Sequence, residues 1–264
     1  MKLLFLGSGS AHTVGAENFQ SNMVLFADSG RRLLIDCGSD IRWSLANQGL
    51  SHLDVTDIYI SHLHADHIGG LEYVGFQTKF DPRCERPRLY VEESLAGPLW
   101  DHALRGGMGI ISGMETELDT FFDVRIVTAN QSFEWEGMRL KPVPAVHVSG
   151  VIATVHSYGL LIEFNGHRTF LTTDTQFTPS LLSSHYACAD VIFHDCEIGP
   201  VLTGVHAHYK DLERLPASVR AKTWLYGYEP GVLPNAAASG FRGFVQVGQS
   251  FELLKDSMIA QGVK

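Results

Sequence analysis

The sequence predicts a mixed α/β fold in which two β-sheets pack face to face and helices cover their outer sides. Three observations carry this. Short apolar runs bounded by Gly, Asp and Ser alternate with longer stretches of helical spacing. Each half of the chain places strands before helices, and no repeat, low-complexity tract or linker-like change of composition divides the 264 residues. Apolar residues make up 45% and charged residues 19%, a balance that fills a large core and stands far from the signature of disorder. A chain of this length buries about three quarters of its unfolded surface and needs no covalent staples. One domain spanning residues 1–264 is expected.

In chain order, the apolar runs predict strands at Lys2–Leu6, Met23–Ala27, Arg32–Asp36, Asp57–Ile60, Leu89–Val91, Arg139–Pro142, Tyr158–Phe164, Arg168–Leu171, Val191–Phe193 and Thr223–Tyr226. Helices are expected to begin near Asp40, Gly69, Glu93, Pro179 and Tyr209, where apolar spacing approaches 3.6 or a capping residue stands. The stretch 97–122 carries Gly97, Gly106, Gly107, Gly109 and Gly113 with little regular spacing. It reads as a mobile insertion serving as a lid or dimer contact, or as an ordinary surface excursion. The longest uncharged run, Pro142–Ile162, contains Pro142, Pro144, His147, Gly150, His156 and Gly159, which are costly or helix-breaking in lipid. Strands and a site loop are expected there, and no membrane partner.

Charge and cysteine content narrow the setting. With 20 Lys+Arg against 29 Asp+Glu the formal charge is −9, which argues against strong nucleic-acid binding. Cys37, Cys84, Cys188 and Cys196 form no CxxC pair and are too sparse for a disulfide framework, so a reduced cytoplasmic setting is expected. The apolar stretch Leu3–Leu6 is too short for the core of a signal peptide.

The chemistry concentrates after the run Asp57–Ile60. Ser61-His62-Leu63-His64-Ala65-Asp66-His67 is an HxHxDH segment. His62 and His64 alternate along an extended loop and can point to one side, while Asp66 and His67 follow where a helix starts. Imidazole and carboxylate donors at this density suit zinc, manganese or iron. Four donors in one loop imply a closed site or a pair of ions. His147, at the end of an apolar stretch, and Asp174, just past Thr169–Leu171, favour the pair, because a carboxylate at a strand end can bridge two metals.

Together with Leu6-Gly7-Ser8-Gly9-Ser10 and Leu34-Ile35-Asp36-Cys37-Gly38, these motifs resemble the metallo-β-lactamase superfamily over nearly the whole chain. The resemblance implies an αββα sandwich with a dinuclear site at one edge of the two sheets. It also implies His62, His64 and His147 on one metal, Asp66 and His67 on the other, and Asp174 between them. Within the superfamily the chain is similar to the ribonuclease Z-like branch and its cyclic-nucleotide phosphodiesterases of the anti-Pycsar type. His194-Asp195-Cys196-Glu197 resembles the branch's His-Glu-Ala-Thr segment, and Val205-His206-Ala207-His208 its histidine-bearing helix start. The branch implies that Asp195 orients His206, which protonates the leaving oxygen, with His208 as a phosphate-binding residue, and it suggests a homodimer. One position departs from the pattern. Where relatives carry a final metal-binding histidine after a late strand, this chain reads Trp224-Leu225-Tyr226-Gly227-Tyr228. Three outcomes are open: solvent completes the second site, His208 swings in, or that site is weak. A histidine restored at 227 is expected to strengthen it.

The first functional expectation is a hydrolase that opens small phosphodiesters, 3′,5′-cyclic nucleotides above all, through water activated by two divalent ions, zinc foremost. Second comes a tRNA 3′-end endonuclease, whose long basic arm has no counterpart in the 26 residues between His147 and Asp174. An ester or lactam hydrolase of the same fold and a catalytically weak ligand-binding module complete the alternatives.

Overall fold

The computed structural model describes residues 1–14, 17–150 and 154–253 and the backbone of 260–261. Its strands are β1 (Lys2–Phe5), β2 (Met23–Phe26), β3 (Arg32–Ile35), β4 (Asp57–Ile60), β5 (Arg88–Glu92), β6 (Ile110–Ile111), β7 (Met114–Glu115), β8 (Asp123–Val127), β9 (Phe133–Trp135), β10 (Met138–Ser149), β11 (Thr154–Phe164), β12 (His167–Leu171), β13 (Val191–Asp195), β14 (Thr223–Tyr226), β15 (Gly243–Phe244), β16 (Ser250–Glu252) and β17 (Ala260–Gln261). One sheet runs β17-β16-β1-β2-β3-β4-β5-β8, the other β15-β14-β13-β12-β11-β10-β9, and β6-β7 is a separate hairpin. Every strand and helix start expected from the sequence is present, with ends shifted by a few residues.

The strands alternate, and each parity finds its own core. Leu3, Phe5, Met23, Leu25, Leu33 and Ile35 face Val191, Phe193, Tyr226, Leu160 and Ile162 across the gap between the sheets. The other parity of the first sheet, Leu4, Val24, Leu34, Ile58 and Ile60, packs under outer helices through Ile41, Leu45, Leu71 and Val74. On the second sheet's outer face, Phe170, Ile192 and Leu225 pack on Leu182, Tyr186 and Leu212. The result is the αββα sandwich expected above.

Parallel pairing decides where a site can form. β3, β4, β5 and β8 are mutually parallel, as are β12, β13, β14 and β15, and parallel neighbours need crossovers, here helical except between β14 and β15. The C-terminal ends of β3 and β4 therefore share one edge of their sheet, and those of β12, β13 and β14 share one edge of theirs. Loops leaving these ends carry the candidate ligands.

One stretch differs from its sequence reading, and a second takes a form the sequence left open. β10 runs as strand from Met138 through His147 to Ser149, where a site loop was expected, with a register shift against β11 between Val146 and Val148. Pro142 and Pro144 are tolerated because β9 pairs only with Met138, Arg139 and Leu140, so the missing N–H groups fall on a free edge. Residues 97–122 fold into short helical turns that bury Leu99, Leu104, Met108, Leu118, Phe121 and Phe122 in the outer core, leaving Ile110 and Met114 exposed on the β6-β7 hairpin. No helix among the described residues is long and apolar enough to cross a membrane.

Candidate metal centre

The first half of the site is held by Asp36, at the C-terminal end of β3. Its backbone is left-handed (φ 61°), a conformation an Asp tolerates better than most residues, and this turns its carboxylate across to the end of β4. There Asp36 accepts from Ser61 N at 2.8 Å and Ser61 Oγ at 2.7 Å, and pairs with His67 Nδ1 at 2.7 Å. With Nδ1 donating to Asp36, His67 Nε2 faces the centre, 3.1 Å from Asp66 Oδ2 and 3.2 Å from Asp174 Oδ2. His64 precedes the short helix Ala65–Ile68, which carries Asp66 and His67. Gly38 lets this helix approach, since a Cβ there would lie 2.1 Å from the Asp66 carbonyl oxygen.

The second half comes from the other sheet. The irregularity in β10 falls at His147, as bulges beside sites commonly re-aim a side chain. His147 Nδ1 donates to the Val205 carbonyl at 2.9 Å, which leaves Nε2 3.0 Å from His64 Nδ1; His62 Nε2 lies 3.1 Å from the same atom. Asp174 leaves β12 after Thr173, itself left-handed (φ 51°). Its Oδ2 lies 3.2 Å from His67, 3.9 Å from His62, 3.7 Å from His147 and 3.9 Å from His206. Donors about 2.0–2.1 Å from a tetrahedral ion stand about 3.3 Å apart, so these spacings fit metal coordination. His62, His64 and His147 form one compact donor group; His62, His67 and Asp174 form another.

Electrostatics support the same arrangement. Burial, reinforced by the neighbouring His67, pushes His62 well below the ordinary imidazole range, and burial lowers His147; both are neutral, as ligands must be. Burial opposes a charge on His67, yet Asp174, Asp36 and Asp66 outweigh it and raise its pKa well above the usual range. A surplus of carboxylate is thus gathered where cations would sit.

Beside these donors stands a pair. Asp195, the last residue of β13, accepts from Thr175 N at 2.9 Å and pairs through the same Oδ2 with His206 Nδ1 at 2.8 Å. Burial raises Asp195 to about 6, while His206, against the cost of burial, is lifted by Asp195 to about 10. At neutral pH the two form an ion pair, with a proton on His206.

The family model described as "Anti-Pycsar protein Apyc1" matches residues 1–251. The chain belongs to the anti-Pycsar Apyc1 family. It is 36% identical over 258 residues to the anti-Pycsar protein of Paenibacillus harenae, covering 96% of this chain and 100% of that one. It is 32% identical to that of Bacillus phage vB_BveM-Goe7, covering 96% and 98%. Among solved structures, the metallo-β-lactamase fold protein YhfI of Bacillus subtilis superposes with a TM-score of 0.72 at 16% identity, covering 95% of this chain and 98% of YhfI.

In this Apyc1-family chain the structure brings together His62, His64, Asp66, His67, His147, Asp174, Asp195 and His206, but not His208. That residue caps the helix Tyr209–Leu212, accepting from Lys210 N at 3.2 Å, and its Nε2 lies 3.2 Å from the Gly199 carbonyl. Both ring nitrogens of His208 are engaged in this structure, away from the donor cluster. The expected gain from a histidine at 227 also meets an obstacle. Gly227 is left-handed (φ 82°), and a Cβ on it would lie 2.6 Å from Asp195 Oδ1. Gly227→His is therefore expected to lower thermal stability and weaken metal binding, checked by melting and metal titration; unchanged melting would show that the loop re-forms freely.

Asp36 is the residue whose role sequence reasoning missed. It was visible only as part of a motif, because its contacts to Ser61 and His67 cross from one strand end to the next. Asp36→Ala is expected to cost about 10–100-fold in metal affinity, measured by competition with a chelator; an unchanged affinity would make its bonds merely structural.

Proposed function

We propose that this protein is a metal-dependent phosphodiesterase that opens 3′,5′-cyclic nucleotides, holding one divalent ion by His62, His64, His147 and Asp174 and a second by Asp66, His67 and Asp174. The observation that carries the reading is the Asp195–His206 ion pair at 2.8 Å beside the donor cluster. The ions, zinc foremost, supply when bound an activated water and charge compensation for the phosphoryl oxygens. The chain's own residues do the rest. His206, held through Nδ1, presents Nε2 with its proton toward the departing sugar oxygen, and Asp195 stabilises the imidazolium and fixes its orientation. Asp36 and the Val205 carbonyl fix the tautomers of His67 and His147 so that each offers Nε2.

The relatives named anti-Pycsar proteins, and a formal charge of −9, favour a small phosphodiester over tRNA. The test is a panel of cyclic nucleotides, bis-p-nitrophenyl phosphate, pre-tRNA and a β-lactam, run on protein of known metal content. Cleavage of pre-tRNA without turnover of any cyclic nucleotide would reverse the ranking. A homodimer is part of this reading, with exposed Ile110 and Met114 as the contact to test. Charged residues at both positions are expected to shift the protein toward monomer in light scattering. The reduced cytoplasm is the compartment we assign, supported by four free cysteines.

A further inference from the structure

We infer that Asp195 is itself a ligand of the second metal, through its Oδ1; this rests on the proposed function above. Three features of the structure support it. Asp195 is fully buried, and its two oxygens are used unequally: Oδ2 takes both Thr175 N and His206 Nδ1, while Oδ1 has no hydrogen-bond partner. A buried carboxylate oxygen left bare is costly enough that it signals an absent partner. The bare oxygen also points to where a side chain at 227 would begin, since a Gly227 Cβ would sit 2.6 Å from it. Glycine leaves that space to the carboxylate. Finally, Asp195 and Gly227 line one small cavity with His206 and with Asp66, His67 and Asp174, the three donors assigned to the second ion. The Gly227 backbone is fixed by donation to the Ser8 carbonyl at 2.8 Å, so the cavity wall is rigid on that side. Asp195 thus joins the metal to the acid: one oxygen for the ion, the other for His206.

A residue that only orients His206 and a residue that ligates metal give different metal contents. Wild type, Asp195→Asn and His206→Ala would be loaded with zinc, dialysed and assayed by elemental analysis and by chelator competition. Ligation predicts two ions in wild type and in His206→Ala, but one in Asp195→Asn, with second-site affinity reduced at least about 100-fold and the first site unchanged. Two ions in Asp195→Asn at wild-type affinity overturn the inference and leave the phosphodiesterase reading intact. One ion in wild type overturns it likewise. No ion in wild type defeats the parent reading instead. If Asp195→Asn does not fold, a crystal structure of the zinc-loaded wild type decides. Oδ1 about 2.0–2.2 Å from the second ion supports ligation, and a distance beyond about 3 Å refutes it.

Discussion

Asp174→Ala is expected to abolish hydrolysis and to cut bound metal from two ions to one or none, while the protein keeps a cooperative thermal transition. The size of the effect follows from position. Asp174 Oδ2 lies within 3.9 Å of ring nitrogens of His62, His67, His147 and His206, so one carboxylate faces both halves of the cluster and its loss removes a donor from each. The fold is expected to survive because Asp174 belongs to the loop after β12, and the three apolar cores are built without it. Asp66→Ala is a milder version, removing a donor from one half only. Elemental analysis, a melting curve and a turnover assay on the same preparation check the prediction. Loss of cooperative unfolding would mean that the metal is needed to fold the chain.

His206→Ala is expected to slow cyclic-nucleotide hydrolysis by about 10²–10⁴-fold and to leave bis-p-nitrophenyl phosphate nearly unaffected. A ribose alkoxide is strongly basic and needs a proton as it leaves, whereas nitrophenolate departs readily without one. Asp195 holds His206 through Nδ1 at 2.8 Å and, against the opposing effect of burial, raises its pKa to about 10. The decisive quantity is the ratio of wild-type to variant rates on the two substrates. Equal losses on both would show that His206 is not the acid. Metal-ligand variants such as Asp66→Ala should lose both activities alike, which separates the two kinds of defect.

The sequence made the sandwich and most of the donor set legible because both are local. A run such as Leu3-Leu4-Phe5 or Val191-Ile192-Phe193 carries its strand in its own residue types, and HxHxDH places four donors within six residues. What stayed hidden is either short or non-local. β8, β15 and β16 are held by neighbours distant in the chain, as Leu3 holds Phe251, and β9 has only three residues. His147 stands at the end of an apolar stretch with Pro142 and Pro144 before it, and the free edge of β10 explains why the strand continues through them. Asp36 looked like part of a turn until the parallel pairing of β3 with β4 set it against Ser61. His208, a phosphate-binding residue by resemblance, caps the helix Tyr209–Leu212 through its ring.

The two sheets meet at the metal centre without a covalent tie: His62, His64, Asp66 and His67 follow β4 of one layer, while His147, Asp174 and Asp195 belong to β10, the end of β12 and β13 of the other. An ion bound there acts as a latch across the open rim of the sandwich. Its binding energy then adds to global stability, by about 2.7 kcal/mol at a free concentration one hundred times the dissociation constant. Chelation should accordingly quicken amide hydrogen exchange in strands of both layers together, beginning at this rim and fading toward the far end, where Asp57 and Arg31 close the first layer with their own ion pair at 2.7 Å.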